Sequence, residues 1–208
     1  FNTGSELDIE NSRFIKNTAN GTRKAEDGYG GAIYTTMGEL NIAGCEFTEN
    51  TAMRNGGSIR NMHGKLSIID SSFTQNTSKL RGGVAIENAE GELSITSSVF
   101  TDNVADRGGA INNSGKLTIT DSTLNNNTTQ WGGGAINNGG GEMAITDSTL
   151  NNNTSEDDGG AINNNKGKLT VTSSTLNNNT AQGRVSSGGA IFNKDAELSI
   201  TESILNEN

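Results

Sequence analysis

A segment of fixed length recurs eight times along the 208 residues. It opens on Leu-x-Ile, places an aromatic residue or Leu five positions later, and closes on Asn three positions after that. The openings are Leu7, Leu40, Leu66, Leu93, Leu117, Met143, Leu169 and Leu198. The closings are Asn17, Asn50, Asn76, Asn103, Asn127, Asn153, Asn179 and Asn208. Both series advance by 33, 26, 27, 24, 26, 26 and 29 residues, so the stretch from Leu to Asn never changes length. A second block, Gly-Gly-Ala-Ile-x-Asn, lies between these segments at Gly108, Gly159 and Gly188, with variants at 56–59 and 83–86. Self-similarity at this period is the mark of a solenoid.

Order matters here because composition alone points elsewhere. Leu, Ile, Val and Phe make up only 40 of 208 residues, and the net charge is −9. Such chains usually bury too little apolar surface to offset the entropy of ordering. The repeat excludes that reading. The absence of Pro, with 28 Gly and 30 Asn, suits closely stacked strands and tight turns, since Pro cannot donate to a ladder.

Leu-x-Ile alternates with period two, which places both side chains on one face of a strand. No window carries the i, i+3, i+4 pattern of a helical repeat. The expected fold is all-β: a right-handed parallel β-helix of about seven to eight coils of about 26 residues, with three strands per coil. Coils rise by roughly 4.8 Å each, for a rod on the order of 35 Å. Residues 1–208 form a single β-helix domain, expected to be a portion or processed subunit of a longer rod.

Stacking turns equivalent positions into columns. Leu and Ile fill the interior, and Phe14, Phe47, Phe73 and Phe100 give way to Leu124, Leu150, Leu176 and Leu205. Two corners carry Asn in register: Asn50, Asn76, Asn103, Asn127, Asn153 and Asn179 at one, and Asn61, Asn88, Asn113, Asn138, Asn164 and Asn193 at the other. Stacked amides would bond to their copies above and below and satisfy buried turn groups. The Gly pairs are expected to turn with positive φ. Asp70, Asp121 and Asp147 share a turn position with Asn11, Gly44, Ser97, Ser173 and Glu202 and read as turn formers. The residue before each opening reads Glu6, Glu39, Lys65, Glu92, Lys116, Glu142, Lys168, Glu197, alternating in sign after the first pair. That column pins the register of the stack.

The Gly30-Gly31-Ala32-Ile33 block, with Phe14-Ile15-Lys16-Asn17 and its copies ending at Asn50, Asn76 and Asn103, resembles the repeats of the chlamydial polymorphic membrane proteins. The resemblance runs over essentially the whole chain, with Val84 replacing the second Gly once and Leu replacing Phe in the last four coils. It implies a β-helical passenger region of an autotransported surface protein, extracellular on the bacterial outer surface, with an adhesive or structural role. The chain has no targeting segment or transmembrane stretch, so export rests on the resemblance.

Few residues here carry chemistry. One His, His63, stands before Gly64, and one Cys, Cys45, takes a turn position that is Ser elsewhere. A single Cys excludes an internal disulfide and Cys-rich metal patterns. The expectation is a non-enzymatic chain with no cofactor, no metal and no catalytic residue. The alternative is a polysaccharide-acting β-helix enzyme, which needs clustered carboxylates. The acids here lie in register columns or in the run Glu156-Asp157-Asp158, although Asp121 and Asp147, one coil apart, could hold a weak cation. An ice-binding surface is a more distant alternative. It rests on the outward pairs Thr118/Thr120 and Thr170/Thr172, and the first coils break it with Asp8, Glu10, Asn41 and Ile69.

Nearly all length variation falls between the Asn corner and the Gly pair, in loops 18–29, 51–55, 77–82, 104–107, 128–132, 154–158 and 180–187. Stacking would align these loops along one edge. They hold Arg23, Lys24, Arg54, Lys79, Arg81, Arg107 and Arg184, seven of the fifteen basic residues, together with Tyr29 and the only Trp, Trp131. Arg54, Lys79, Arg81, Arg107, Trp131 and Arg184 are therefore the candidate binding residues. Their partner would be an anionic glycan or a protein of a host or neighbouring cell. Neither nucleic acid nor membrane insertion of this segment is expected. Phe1-Asn2 has the phase of Phe192-Asn193, and the last residue, Asn208, is an Asn corner. The open ends are expected to meet flanking repeats or another copy, stacking end to end into a rod or filament.

Overall fold

The computed structural model describes residues 1–21, 28–80, 85–183 and 186–208. They form a right-handed parallel β-solenoid without a helix. Each strand pairs in parallel with its copies one coil before and after. Four sheets run along the rod where three were expected. Sheet A collects the Ile-x-Asn strands, from Asn2–Thr3 and Ile33–Thr36 to Ile191–Lys194. Sheet B holds the Leu-x-Ile strands, from Glu6–Glu10 to Glu197–Thr201, and sheet C the Phe/Leu strands, from Arg13–Ile15 to Ile204–Asn206. Sheet D is the unexpected one. Its strands are short, such as Thr51–Ala52, Thr77–Ser78 and Thr154–Ser155, and open each variable loop. Two residues are too few to show alternation in sequence. Their second position nevertheless points inward, where Ala52, Ser78, Ala105, Thr129 and Ser155 are buried.

Register follows the sequence columns. Leu66 pairs with Leu40 and Leu93, and Ile68 with Ile42 and Ile95. Interior Leu, Ile and Phe side chains are almost wholly buried, each contributing roughly 1.5–3 kcal/mol. Phe14, Phe47, Phe73 and Phe100 stack with ring centroids 4.7, 4.6 and 4.6 Å apart and planes within 4° of parallel. The strand spacing dictates that separation. In the terminal coils the same core positions lie open, with Leu7 38% and Leu198 39% exposed.

The corners explain the polar excess. Asn76 donates from its backbone N–H and from Nδ2 to Asn103 Oδ1, both at 3.0 Å, and Nδ2 also donates to Phe47 O at 3.0 Å. The pattern repeats from Asn17 to Asn208, so each interior amide is saturated while fully buried. A second ladder joins Asn61, Asn88, Asn113, Asn138, Asn164 and Asn193 through Nδ2–Oδ1 bonds of 2.7–2.9 Å. A third, of serines, was not foreseen. Ser12 N–H donates to Cys45 Sγ at 3.4 Å, and from Cys45 onward each N–H in this column donates to the next coil's Oγ, as Ser71 does to Ser98 at 3.1 Å. Cys45 fits this series, donating its N–H to Ser71 Oγ at 3.0 Å.

Corner residues sit in the left-handed region even without glycine. Asp70, Asp121 and Asp147 have φ of 48°, 49° and 48°. Each N–H there bonds to the following coil, as Asp121 does to Thr146 O at 3.3 Å, which offsets a conformation most side chains avoid. The glycine pairs meet the expectation of positive φ at their first residue, as at Gly30, Gly56, Gly108, Gly159 and Gly188, and mostly not at their second. At Gly159-Gly160 only the first residue has positive φ, 74°. The second is glycine because a Cβ there would stand 2.0 Å from Gly189 O in the next coil.

The charged column is in register on sheet B: Lys116 pairs with Glu92 and Glu142, and Lys65 with Glu39 and Glu92. Within this column, whose members are all described, only Lys168 and Glu197 approach within ion-pair distance, at 3.9 Å. The column therefore acts through charge alternation across the ladder more than through close contact.

Candidate binding ridge

Sheet D and the loops that follow it form one edge of the rod. The strand pairs Thr51 with Thr77, Thr77 with Val104, Val104 with Thr128 and Thr128 with Thr154, so the loops leave the stack at one position in successive coils. Lys79, Arg107 and Trp131 are exposed on this edge, Trp131 to 54%. Arg54 is half-buried; its N–H donates to Gly28 O at 3.0 Å and its carbonyl accepts from the Ser78 hydroxyl. Arg107 and Trp131 are direct register partners, a contact the loop lengths did not reveal. Arg81 and Arg184, like Arg23 and Lys24, lie outside the described residues.

The sequence reading passed over the middle residue of Ile-x-Asn. These residues form an outward column on sheet A: Tyr34, Arg60, Glu87, Asn112, Asn137, Asn163 and Phe192. Arg60 lies over the Tyr29 ring at 3.8 Å and reaches the Tyr34 ring at 5.5 Å. Glu87 is buried on this outer face, accepting from Asn112 Nδ2 at 2.8 Å and from Asn55 Nδ2 at 3.3 Å. Asn137 Nδ2 donates to Asn112 Oδ1 at 2.7 Å. The variable loops thus flank a polar strip, whose signal in the sequence is the run of Asn at the same place in three successive blocks.

Elsewhere the titratable groups are dispersed. The guanidinium of Arg13, 2.7 Å from Glu46, and the Thr48 hydroxyl hold the Glu46 carboxyl below the usual glutamate range. His63 is a turn residue with φ 55°, 3.7 Å from Glu90. Among the described residues no three His, Cys, Asp or Glu side chains are grouped to hold a metal, and no helix is long and apolar enough to cross a membrane.

A family model described as the Chlamydia polymorphic membrane protein (Chlamydia_PMP) repeat matches residues 11–36, 147–165 and 173–194. The chain carries polymorphic membrane protein repeats, and they lie on its β-helix. Each match starts at the turn before sheet C, crosses the Asn corner, sheet D and the variable loop, and ends in sheet A. The family repeat is therefore the ridge-bearing part of the coil, without the Leu-x-Ile strand. Two of the three matches fall in coils with Leu150 and Leu176 in place of Phe, so that substitution does not remove the signature. Neither the curated proteins nor the solved structures contain a match to the chain.

Proposed function

We propose that the chain is a non-enzymatic extracellular rod of the cell surface that works by contact, adhesive along its loop ridge and structural along its length. The observation that carries this reading is register. Asn ladders on two corners hold the coils in register, so loops of changing length and sequence stand at one edge of an unchanging scaffold. Such a division between rigid frame and variable loops is the arrangement that recognition surfaces use. The polymorphic membrane protein repeat coincides with the part of the coil that bears these loops, which supports the same view.

The ridge meets an anionic glycan or a protein surface of a host or neighbouring cell, and the open terminal coils meet further coils, of the same polypeptide or of another copy. Attachment of the purified chain to cells tests the ridge. Reversing Lys79 and Arg107 to Glu is expected to lower attachment about tenfold, more so at low salt, with melting unchanged because both side chains are exposed. Undiminished attachment by that variant would remove the ridge from the reading.

A further inference from the structure

A groove of about 400 Å³ crosses the outer face of sheet A beside the ridge. Its near wall comes from three successive loops through Arg107, Trp131 and Asp157, and Asn137 and Asn163 line it from the sheet. The far side is the corner at Gly139-Gly140, followed one coil on by Asn165 and Lys166. Three observations make it more than a gap between loops.

First, the indole of Trp131 is half exposed and stacks on no aromatic ring among the described residues. Leaving so large an apolar surface in water is unfavourable without a partner. Secondly, several of the polar groups around it are uncommitted. Arg107, Asp157 and Lys166 make no ion pair with a described residue, and Asn163, only 7% exposed, has an Oδ1 without a hydrogen-bond partner. A buried carbonyl oxygen left in that state costs on the order of 1–3 kcal/mol. Thirdly, the low far wall is a property of the sequence and not of the fold. A Cβ at Gly139 would meet nothing nearer than 3.9 Å, and one at Gly140 nothing within 4 Å. Lys166, Glu90 and His63 occupy the same corner as Gly140 in other coils with full side chains, at φ of 61°, 56° and 55°.

We propose that this groove is a saccharide-binding subsite for an acidic pyranoside, an inference that rests on the adhesive reading above. The flat apolar face of a sugar ring covers the indole, ring hydroxyls meet the amides of Asn137 and Asn163 and the carboxylate of Asp157, and an acidic substituent lies between Arg107 and Lys166. Planar amides that both donate and accept suit hydroxyls, which do the same. The volume falls within the roughly 300–1,000 Å³ of small-ligand sites.

Trp131 is the only tryptophan, so its fluorescence reports the groove directly. The intact chain would be titrated with a heparin-derived tetrasaccharide and with neutral chitotetraose. The acidic sugar is expected to give a saturable change weakened by salt, with the neutral one about tenfold weaker. The double substitution Gly139→Asn, Gly140→Lys fills the groove as the next coil's corner does; neither added Cβ meets a close neighbour, and the strain of a side chain at Gly140, where φ is 94°, costs some stability. It is expected to weaken binding at least about tenfold with only a small fall in melting temperature, and Trp131→Ala, followed by calorimetry, is expected to weaken binding as much.

A fluorescence change that survives the filled groove would overturn the proposal, as would no response to either sugar. Attachment that needs the groove yet persists after surface glycans are removed would overturn the saccharide in favour of a protein. Sugar binding without any cell attachment would uphold the groove and sink the adhesive reading instead.

Discussion

Asn127 Oδ1 accepts two hydrogen bonds from Asn103, one from its backbone N–H at 3.1 Å and one from its Nδ2 at 2.9 Å. Asn103 Nδ2 spends its other proton on Phe73 O at 3.0 Å. Both residues are fully buried. Replacing Asn127 by Leu would strand both Asn103 donors and remove the bond from Asn127 Nδ2 to Phe100 O. An unmade bond in a dry corner costs its desolvation, so Asn127→Leu is expected to destabilise by roughly 3–4 kcal/mol. The comparison is Thr118→Ser on the outer face of sheet B, expected to cost under about 0.5 kcal/mol. Urea melts of both variants check the difference, and equal losses would refute the ladder as the source of stability.

The second ladder begins imperfectly. Asn61 Oδ1 is buried without a partner because the coil before it carries Thr35 in the amide column. Thr35 is itself fully buried, and Asn2 Nδ2 reaches its hydroxyl at 3.4 Å. Thr35→Asn would supply an Nδ2 donor to Asn61 and a better acceptor to Asn2. It is expected to stabilise the chain by about 1 kcal/mol, seen as a rise in melting temperature. A fall would mean that the corner between Asn2 and Asn61 has no room for a longer side chain.

Much of this scaffold was legible before any coordinates. Leu66, Ile68 and Asn76 recur at fixed offsets because every coil must present the same face at the same height, so the columns appear in the sequence as repeats. Sheet D was missed because strands such as Thr51–Ala52 are too short to alternate and lie inside loops of unequal length. The groove at Trp131 was half legible. Arg107 and Trp131 were marked as ridge residues, but Asn137 and Asn163 were passed over, since with Asn112 they repeat one residue at the same place in successive blocks. What makes them distinct is the missing side chain at Gly139-Gly140, an absence that only the stacked neighbours give meaning.

Charge alternation on sheet B makes a directional prediction. Lys116 stands between Glu92 and Glu142 on adjacent strands. Lys116→Glu would place three acids in succession, exchanging two favourable neighbours for two repulsive ones at a cost of about 1 kcal/mol at low salt. The loss is expected to shrink in roughly 1 M salt, where the screening length falls to about 3 Å. Thermal melts at both ionic strengths measure it, and a salt-independent loss would assign the effect to packing of the lysine stem.

The two kinds of glycine in this chain should respond oppositely to the same substitution. A Cβ on Gly160 would lie 2.0 Å from Gly189 O and 2.4 Å from Thr180 N, both backbone atoms of the following coil, so nothing flexible can yield. The coils would have to separate there, opening hydrogen bonds such as Ala161 N–H to Ala190 O at 2.9 Å. Gly160→Ala is accordingly expected to destabilise by at least about 3 kcal/mol. Gly139 sits one coil earlier on the opposite side of sheet A, with an ordinary φ and nothing within 3.9 Å of an added Cβ. Gly139→Ala removes freedom only from the unfolded chain and is expected to stabilise by roughly 0.4–1 kcal/mol. Denaturant melts of the two single variants decide between steric interlock and turn conformation as the reason for the Gly-Gly block. If Gly160→Ala costs no more than an ordinary surface change, the interlock is wrong and the coils are looser at that corner than their backbone contacts require.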